Sequence, residues 1–180
     1  MTDKKDLVDQ LIEDWQREAP TLDTSGMAIV GRVVQLGRLL EQRVQAKLKP
    51  YGLIYTDFDL LATLRRTGGE YCLTPTELRQ SVLLTSGAMT AALDRLEGMG
   101  LIERVRNKSD RRSMSARLTP AGLALLDKVV QIRFDDANDM ITGLSDDEAA
   151  TTADVLRRLL LSVRSEGETA PRPSSPAPAL

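Results

Sequence analysis

Thr74-Pro75-Thr76-Glu77-Leu78-Arg79-Gln80-Ser81-Val82-Leu83-Leu84-Thr85-Ser86-Gly87-Ala88-Met89-Thr90-Ala91-Ala92-Leu93-Asp94-Arg95-Leu96-Glu97-Gly98-Met99-Gly100 is the stretch on which the fold turns. Thr74 offers an N-cap hydroxyl, Pro75 suits the first helical position and Glu77 completes a capping box, so a helix is predicted from here to about Leu83. Leu84-Thr85-Ser86-Gly87 supplies a turn and a second cap, and Ala88 to Met99 follows as a helix with Met89, Leu93 and Leu96 inward. Two short helices around a tight turn make a helix-turn-helix unit. Gly100 stops the second helix, Leu101 to Arg106 alternates like an edge strand, Asn107 to Arg112 reads as a hairpin tip, and Ser113 to Leu118 returns as a second strand. That hairpin is a wing.

Working outward, the segments on either side are helical. Leu7, Leu11 and Trp15 fall four apart on one face, and Pro20 ends that helix. Met27 to Lys49 is a long helix whose polar stripe, Arg32, Gln35, Arg38, Gln42, Gln45 and Lys49, leaves Val30, Val33, Val34, Leu40 and Val44 on so wide an apolar surface that burial from more than one side is expected. Pro50-Tyr51-Gly52 breaks it, and Thr56 opens a short helix carrying Phe58, Leu60, Leu61 and Leu64, closed by Gly68-Gly69. Thr119-Pro120 caps a helix to about Ile141 with Leu123, Leu126, Val130, Phe134 and Ala137 on one face. Ser145-Asp146-Asp147-Glu148 is a further capping box, opening a helix striped by Val155, Leu156, Leu159, Leu160 and Val163. The Pro, Ser and Ala content near the end predicts a disordered tail over 166–180.

With 180 residues, 42% apolar and only 3% aromatic, the chain has material for one aliphatic, mostly α core. A single cysteine excludes an intramolecular disulfide framework. No window approaches the roughly 18 apolar residues of a spanning helix, and Met1 to Asp6 does not read as an export signal, so a cytoplasmic protein without membrane partners is expected. The absence of histidine removes the commonest general base and metal ligand. No phosphate loop, dinucleotide-binding turn or nucleophile elbow takes its place, so neither enzyme activity, cofactor nor metal is expected. A net charge of −2 argues against a general nucleic-acid coat. The positive charge is instead concentrated between residues 104 and 117, where Arg104, Arg106, Lys108, Arg111, Arg112 and Arg117 are opposed in sign by Asp110 once Glu103 is left outside the window.

Ser86 to Thr90, Leu93-Asp94-Arg95-Leu96-Glu97, Gly100 to Arg104, Asp110 to Ser113 and Leu118 to Gly122 follow in order as blocks that resemble the signature of the multiple antibiotic resistance regulator (MarR) family, over roughly residues 27–165. The resemblance implies a winged helix-turn-helix DNA-binding lobe, about 53–118, in a single domain over 1–165. Helices at about 5–49 and 120–165 would form the dimerisation lobe of a homodimer on palindromic operator DNA. A groove-sized helix then reads bases with Ser86, Thr90 and Ala91, while Thr85 and the helix N-terminus hold phosphate. The family's wing pattern maps onto Asp110 and Arg112, the aspartate orienting a guanidinium in the minor groove, with Arg111 and Lys108 on the backbone. Trp15 on an added N-terminal helix resembles the urate-responsive branch. Trp15, Asp59 and Arg104 occupy three of that branch's four ligand positions and Ala92 the fourth, so the resemblance implies a repressor released by a small anionic aromatic effector.

Each residue also has a plainer reading. Trp15 suits a dimer-core anchor, Thr56-x-x-Asp59 a first-turn cap, and Arg104 recurs in relatives with other ligands. Cys72 reads as a small buried hydrophobe, with peroxide sensing as the alternative. The competing class is a winged-helix adaptor that binds protein rather than DNA, against which the basic wing speaks.

Overall fold

The computed structural model describes residues 4–82, 86–106 and 114–169, with side chains in the last helix as far as Val163 and backbone alone at Ser86. The chain divides into two compact units, 1–133 and 134–180. Among the described residues no helix is long and apolar enough to cross a membrane.

The first unit opens with α1, Leu7–Glu18, whose N-cap Asp6 accepts the backbone N–H of Val8 (2.8 Å) and of Asp9 (2.9 Å). Helix α2, Ser25–Leu48, receives α1 at Gly31, where an added Cβ would stand 3.1 Å from Val8. Arg32 then clamps the two, donating to Asp6 (2.8 Å) and Asp9 (2.5 Å). Two residues expected on the solvated stripe of α2 therefore do structural work: Arg32 in this clamp, and Gln45, whose amide donates to Leu53 O and accepts from Tyr55 N. Of the apolar residues expected under cover on α2, Val44 is buried, while Val30, Val33, Val34 and Leu40 remain exposed within the chain.

Helix α3, Tyr55–Arg66, corrects the sequence expectation at its start. Its first turn is capped by Asp57, whose carboxylate accepts the Ile54 N–H at 3.1 Å, rather than by the Thr56-x-x-Asp59 pair. The helix begins one residue earlier than Thr56, and that shift puts Asp57 in the capping register. A turn through Gly68 and Gly69, both at positive φ, leads to Tyr71 at φ 51°, an uncommon conformation for a residue with a Cβ. Arg65 holds that ring from above, 4.9 Å from its centroid, and donates to its hydroxyl.

Strand β1, Cys72–Leu73, joins a three-stranded antiparallel sheet in the order β1-β3-β2, with β2 at Ile102–Arg106 and β3 at Met114–Leu118. The pleat turns Leu73, paired with Ala116, to the face of Ile102 and Leu118 that carries the core, and Cys72, paired with Arg117, to the other. Cys72 is consequently half-buried rather than a core residue, lining a polar hollow of about 270 Å³ with Glu70, Glu77 and Arg117. The core is aliphatic, as composition demanded: Leu48, Leu53, Leu60, Leu61, Leu64, Leu78, Met89, Leu96, Ile102, Leu126 and Val129 are fully enclosed.

Helix α6, Pro120–Met140, is seated on the sheet through Thr119, whose hydroxyl accepts the Gly122 N–H and donates to Gly100 O (2.7 Å). Its buried positions in the first unit are Gly122, Leu126 and Val129; Phe134 and Ala137, expected on one face with Leu126, are exposed. The second unit begins at Phe134 and holds α7, Asp146–Thr169, whose Ser145–Glu148 capping box forms as expected. The stripe of α7 lies open: Val155, Leu156, Leu160 and Val163 are exposed and Leu159 half-buried.

Candidate nucleic-acid interface

Helices α4, Pro75–Ser81, and α5, Ser86–Gly98, form the expected helix-turn-helix. Glu77 N donates to the Thr74 hydroxyl (3.2 Å) and Thr74 N to the Glu77 carboxylate (2.7 Å), a reciprocal cap that holds the Glu77 acid below its ordinary pKa. Met89, Ala92, Leu93 and Leu96 of α5 are buried, which leaves Gly87, Thr90, Ala91 and Asp94 on the open face. Thirteen residues at 1.5 Å each make a rod of about 20 Å, a length that lies within a B-DNA major groove.

Of the DNA-contact residues expected from sequence, Thr90 and Ala91 stand exposed on the outer face and Ser86 is the first residue of α5. Thr85, Lys108, Asp110, Arg111 and Arg112 lie outside the described residues. The hairpin that carries the last four is defined up to its final pair, Arg106 with Met114.

The basic patch is smaller than the raw sequence count. Arg117 is tied to Glu103 across the strands at 2.9 Å, because Glu103 and Arg117 are register partners. Arg104 reaches from β2 to α5, pairing with Asp94 and, at 3.3 Å, with Glu97. This bridge neutralises two carboxylates on α5 and ties that helix to β2. Arg106 has no carboxylate partner among the described residues.

The effector trio is not gathered in one hollow. Trp15 is half exposed and lines a shallow depression of about 360 Å³ made by α1 alone, with Leu7, Leu11 and Asp14. Arg104 lines a cleft of about 110 Å³ with Thr90, Leu93, Met114 and Ala116. Asp59 is half-buried on α3, where burial raises its carboxyl above the ordinary value against the pull of Arg66. Neither hollow holds a second member of the trio. Ala92 is buried, so the fourth position faces the core instead of a ligand.

Two residues escaped the sequence reading. Asp57 is completely enclosed and takes the Arg95 Nε–H with both carboxylate oxygens, at 3.1 and 3.2 Å, as well as an Nη2–H. The signal was present, since an acid three residues beyond Ile54 is half of a capping box, but Thr56 offered a more conventional cap for Asp59. Among the described residues no cluster of histidine, cysteine and carboxylate side chains suits a metal ion.

A family model described as "MarR family" matches residues 51–113, a span that takes in α3, the helix-turn-helix and β2 and ends just before β3. The transcriptional regulator PecS of Dickeya dadantii is 30% identical over 152 residues, covering 84% of this chain and 92% of PecS. The multiple antibiotic resistance protein MarR of Salmonella typhimurium is 34% identical over 140 residues, covering 73% and 95%. Among solved structures, a mutant MarR from E. coli complexed with operator DNA superposes with a TM-score of 0.65 at 26% identity, covering 87% of this chain and 99% of that one.

Proposed function

The chain belongs to the MarR family of DNA-binding transcriptional regulators, proteins without enzymatic activity, and from that premise we propose that it is a cytoplasmic homodimeric repressor released from a palindromic operator by a small anionic aromatic effector. The observation that carries this reading is the bridge from Arg104 to Asp94 and Glu97. It sets the exposed face of α5 beside β2, whose Arg106 has no carboxylate partner among the described residues and leads in sequence to Lys108, Arg111 and Arg112.

In this proposal Ser86, Thr90 and Ala91 approach base edges, where short side chains give close contact and methyl recognition, while Thr85 and the α5 N-terminus hold phosphate. Arg112, oriented by Asp110, enters the minor groove, and Lys108 and Arg111 meet the backbone. Dimerisation is supported by the apolar residues that α1, α2 and α7 leave open, Leu11, Val30, Val34, Leu39, Leu156 and Leu160 among them, which exceed what scattered surface residues explain. Two-fold pairing then sets half-sites about one helical turn apart.

Since Trp15 and Asp59 share no hollow with Arg104, the effector would act through Arg104. Because Arg104 is already paired, an incoming carboxylate has to compete with Asp94 and Glu97, and success detaches the wing strand from the reading helix. Ligand binding that favours the detached arrangement shifts the population away from the DNA-binding form.

A mobility-shift assay and DNase footprinting on DNA flanking the protein's own gene test the reading, the former repeated with phenolic, indolic and purine acids. A symmetric footprint is expected, along with release by at least one acid and a loss of about 1–3 kcal/mol of operator affinity for Arg112→Ala. A single unsymmetrical half-site would remove the dimer, unchanged binding by Arg112→Ala would remove the wing, and a flat response to every acid would remove the effector.

A further inference from the structure

We propose that the Asp57–Arg95 pair fixes the roll of the reading helix, which makes Asp57 a specificity-determining positioning residue for operator binding. The proposal rests on α5 being the reading element.

Helix α5 is seated by Met89, Ala92, Leu93 and Leu96, which decide the face it buries, but aliphatic contacts of this kind have little directionality and oppose a small roll only weakly. Fine rotation is set by ion pairs on two sides, Arg95 to Asp57 on one and Asp94 with Glu97 to Arg104 on the other. Consecutive helical residues point about 100° apart, so the pairs pull α5 toward α3 on one side and toward β2 on the other. The α3 anchor is the firmer. Asp57 is wholly enclosed and held through the Ile54 N–H, and it engages Arg95 through both carboxylate oxygens, whereas Asp94 is an exposed side chain. Two-point pairing of this kind is directional as well as strong.

Losing it changes base reading more than phosphate binding. A roll of about 10° displaces a side-chain tip some 5–6 Å from the helix axis by about 1 Å, which is wider than the distance window of a hydrogen bond. Contacts of Thr90 and Ala91 with base edges are therefore lost, while attraction to phosphates, which falls off over a Debye length, hardly changes. The affected quantity is the ratio of operator to random-DNA affinity.

The test uses the full-length protein and two duplexes, one enriched from a random-sequence library by the wild-type protein and one with that sequence scrambled. Asp57→Asn keeps the volume and an acceptor for the Ile54 N–H but removes the charge. It is expected to lose about tenfold or more on the enriched duplex, the scale of one base contact, while binding the scrambled duplex within about twofold of wild type and with the same salt slope. Arg95→Lys should recover part of the preference, and Asp57→Asn combined with Arg95→Gln should lose no more than Asp57→Asn alone. Wild-type binding of both duplexes by Asp57→Asn overturns the proposal. So does an equal loss on both, the mark of a general structural defect. Ala91→Glu on the outer face separates the two levels. If it leaves the enriched duplex unaffected, α5 does not read the operator and the proposal falls with that reading; if it abolishes the preference while Asp57→Asn does not, the anchor alone is refuted.

Discussion

Gly122 sits where α6 meets the start of the wing, and a single methyl there tests how tightly the two are joined. A Cβ built on Gly122 would lie 2.0 Å from Leu101 O, 2.9 Å from its carbonyl carbon and 3.2 Å from its Cα. Ordinary contact begins near 3.4 Å, so the helix start or the strand has to move by about 1.4 Å, and all three obstructing atoms are backbone. Such a movement breaks the bonds that seat the helix, Thr119 N to Leu101 O at 3.1 Å and the Thr119 hydroxyl to Gly100 O at 2.7 Å. Overpacking costs about 1–3 kcal/mol and each lost hydrogen bond about 0.5–1.5, against a gain of at most about 1 from replacing glycine in a helix. Gly122→Ala is therefore expected to destabilise the protein by about 2–4 kcal/mol, read as a lowered urea midpoint at fixed protein concentration. Operator affinity should fall as well, because Leu101 leads directly into the strand carrying Arg104 and Arg106. A midpoint equal to or above that of wild type would mean that helix propensity governs this site, and the close approach would carry no structural weight.

Three further outcomes follow from the site and its supports. Burial raises the Asp59 pKa in the folded state, so its ionised form costs stability above that raised value and the cost disappears as pH falls below the ordinary carboxylate range, about 4. Asp59→Asn should accordingly raise the urea midpoint at pH 7 and leave it unchanged near pH 3; a lowered midpoint at pH 7 refutes the assignment. Arg32 holds the Asp9 carboxyl below its ordinary value, so the clamp on α1 is intact at neutral pH and is lost as pH falls through that depressed value. Hydrogen exchange across residues 7–18 should accelerate in Arg32→Ala at pH 7 while α3 keeps its protection, and equal protection in α1 would show that Val8 and Gly31 hold it unaided. Thr74→Ala should cost about 1 kcal/mol through the lost α4 cap, and a loss below about 0.3 would place the work of starting that helix on Pro75.

The elements of the helix-turn-helix were legible because their signals are local. Thr74-Pro75-Thr76-Glu77 specifies a helix start within four residues, and the glycine at 100 ends the next helix at φ 70°. What the sequence hid depends on contacts between distant segments. Asp57 and Asp59 both fit a first-turn acid, and only the packing of α3 against α5 decides that Asp57 meets Arg95, 38 positions away. Arg104 and Arg117 look alike in a census of charge, yet one is spent on α5 and the other on its register partner Glu103. Phe134 shares a helical face with Leu126 and Val130 by spacing, yet it is exposed while Leu126 is enclosed, and periodicity carries no information about where along a helix its covering elements stop.

An acidic molecule that must approach a polyanion faces repulsion at long range and needs attraction at short range, and the distribution of ion pairs determines how both are met. Asp94 and Glu97 lie on or beside the face that would enter the groove, and left alone they would oppose every phosphate within a Debye length, about 8–10 Å. Arg104 cancels them locally, at the cost of its own availability to DNA. In the proposed function, attraction then falls to Arg106 and to Lys108, Arg111 and Arg112, which follow it in sequence. In the proposed effector response, a ligand carboxylate that captured Arg104 would both uncover Asp94 and Glu97 on α5 and loosen β2 from it. Repulsion and misalignment then act together, and a modest difference in ligand affinity between the bridged and unbridged forms is amplified in operator affinity, doubly so in a dimer that must place two such heads at once.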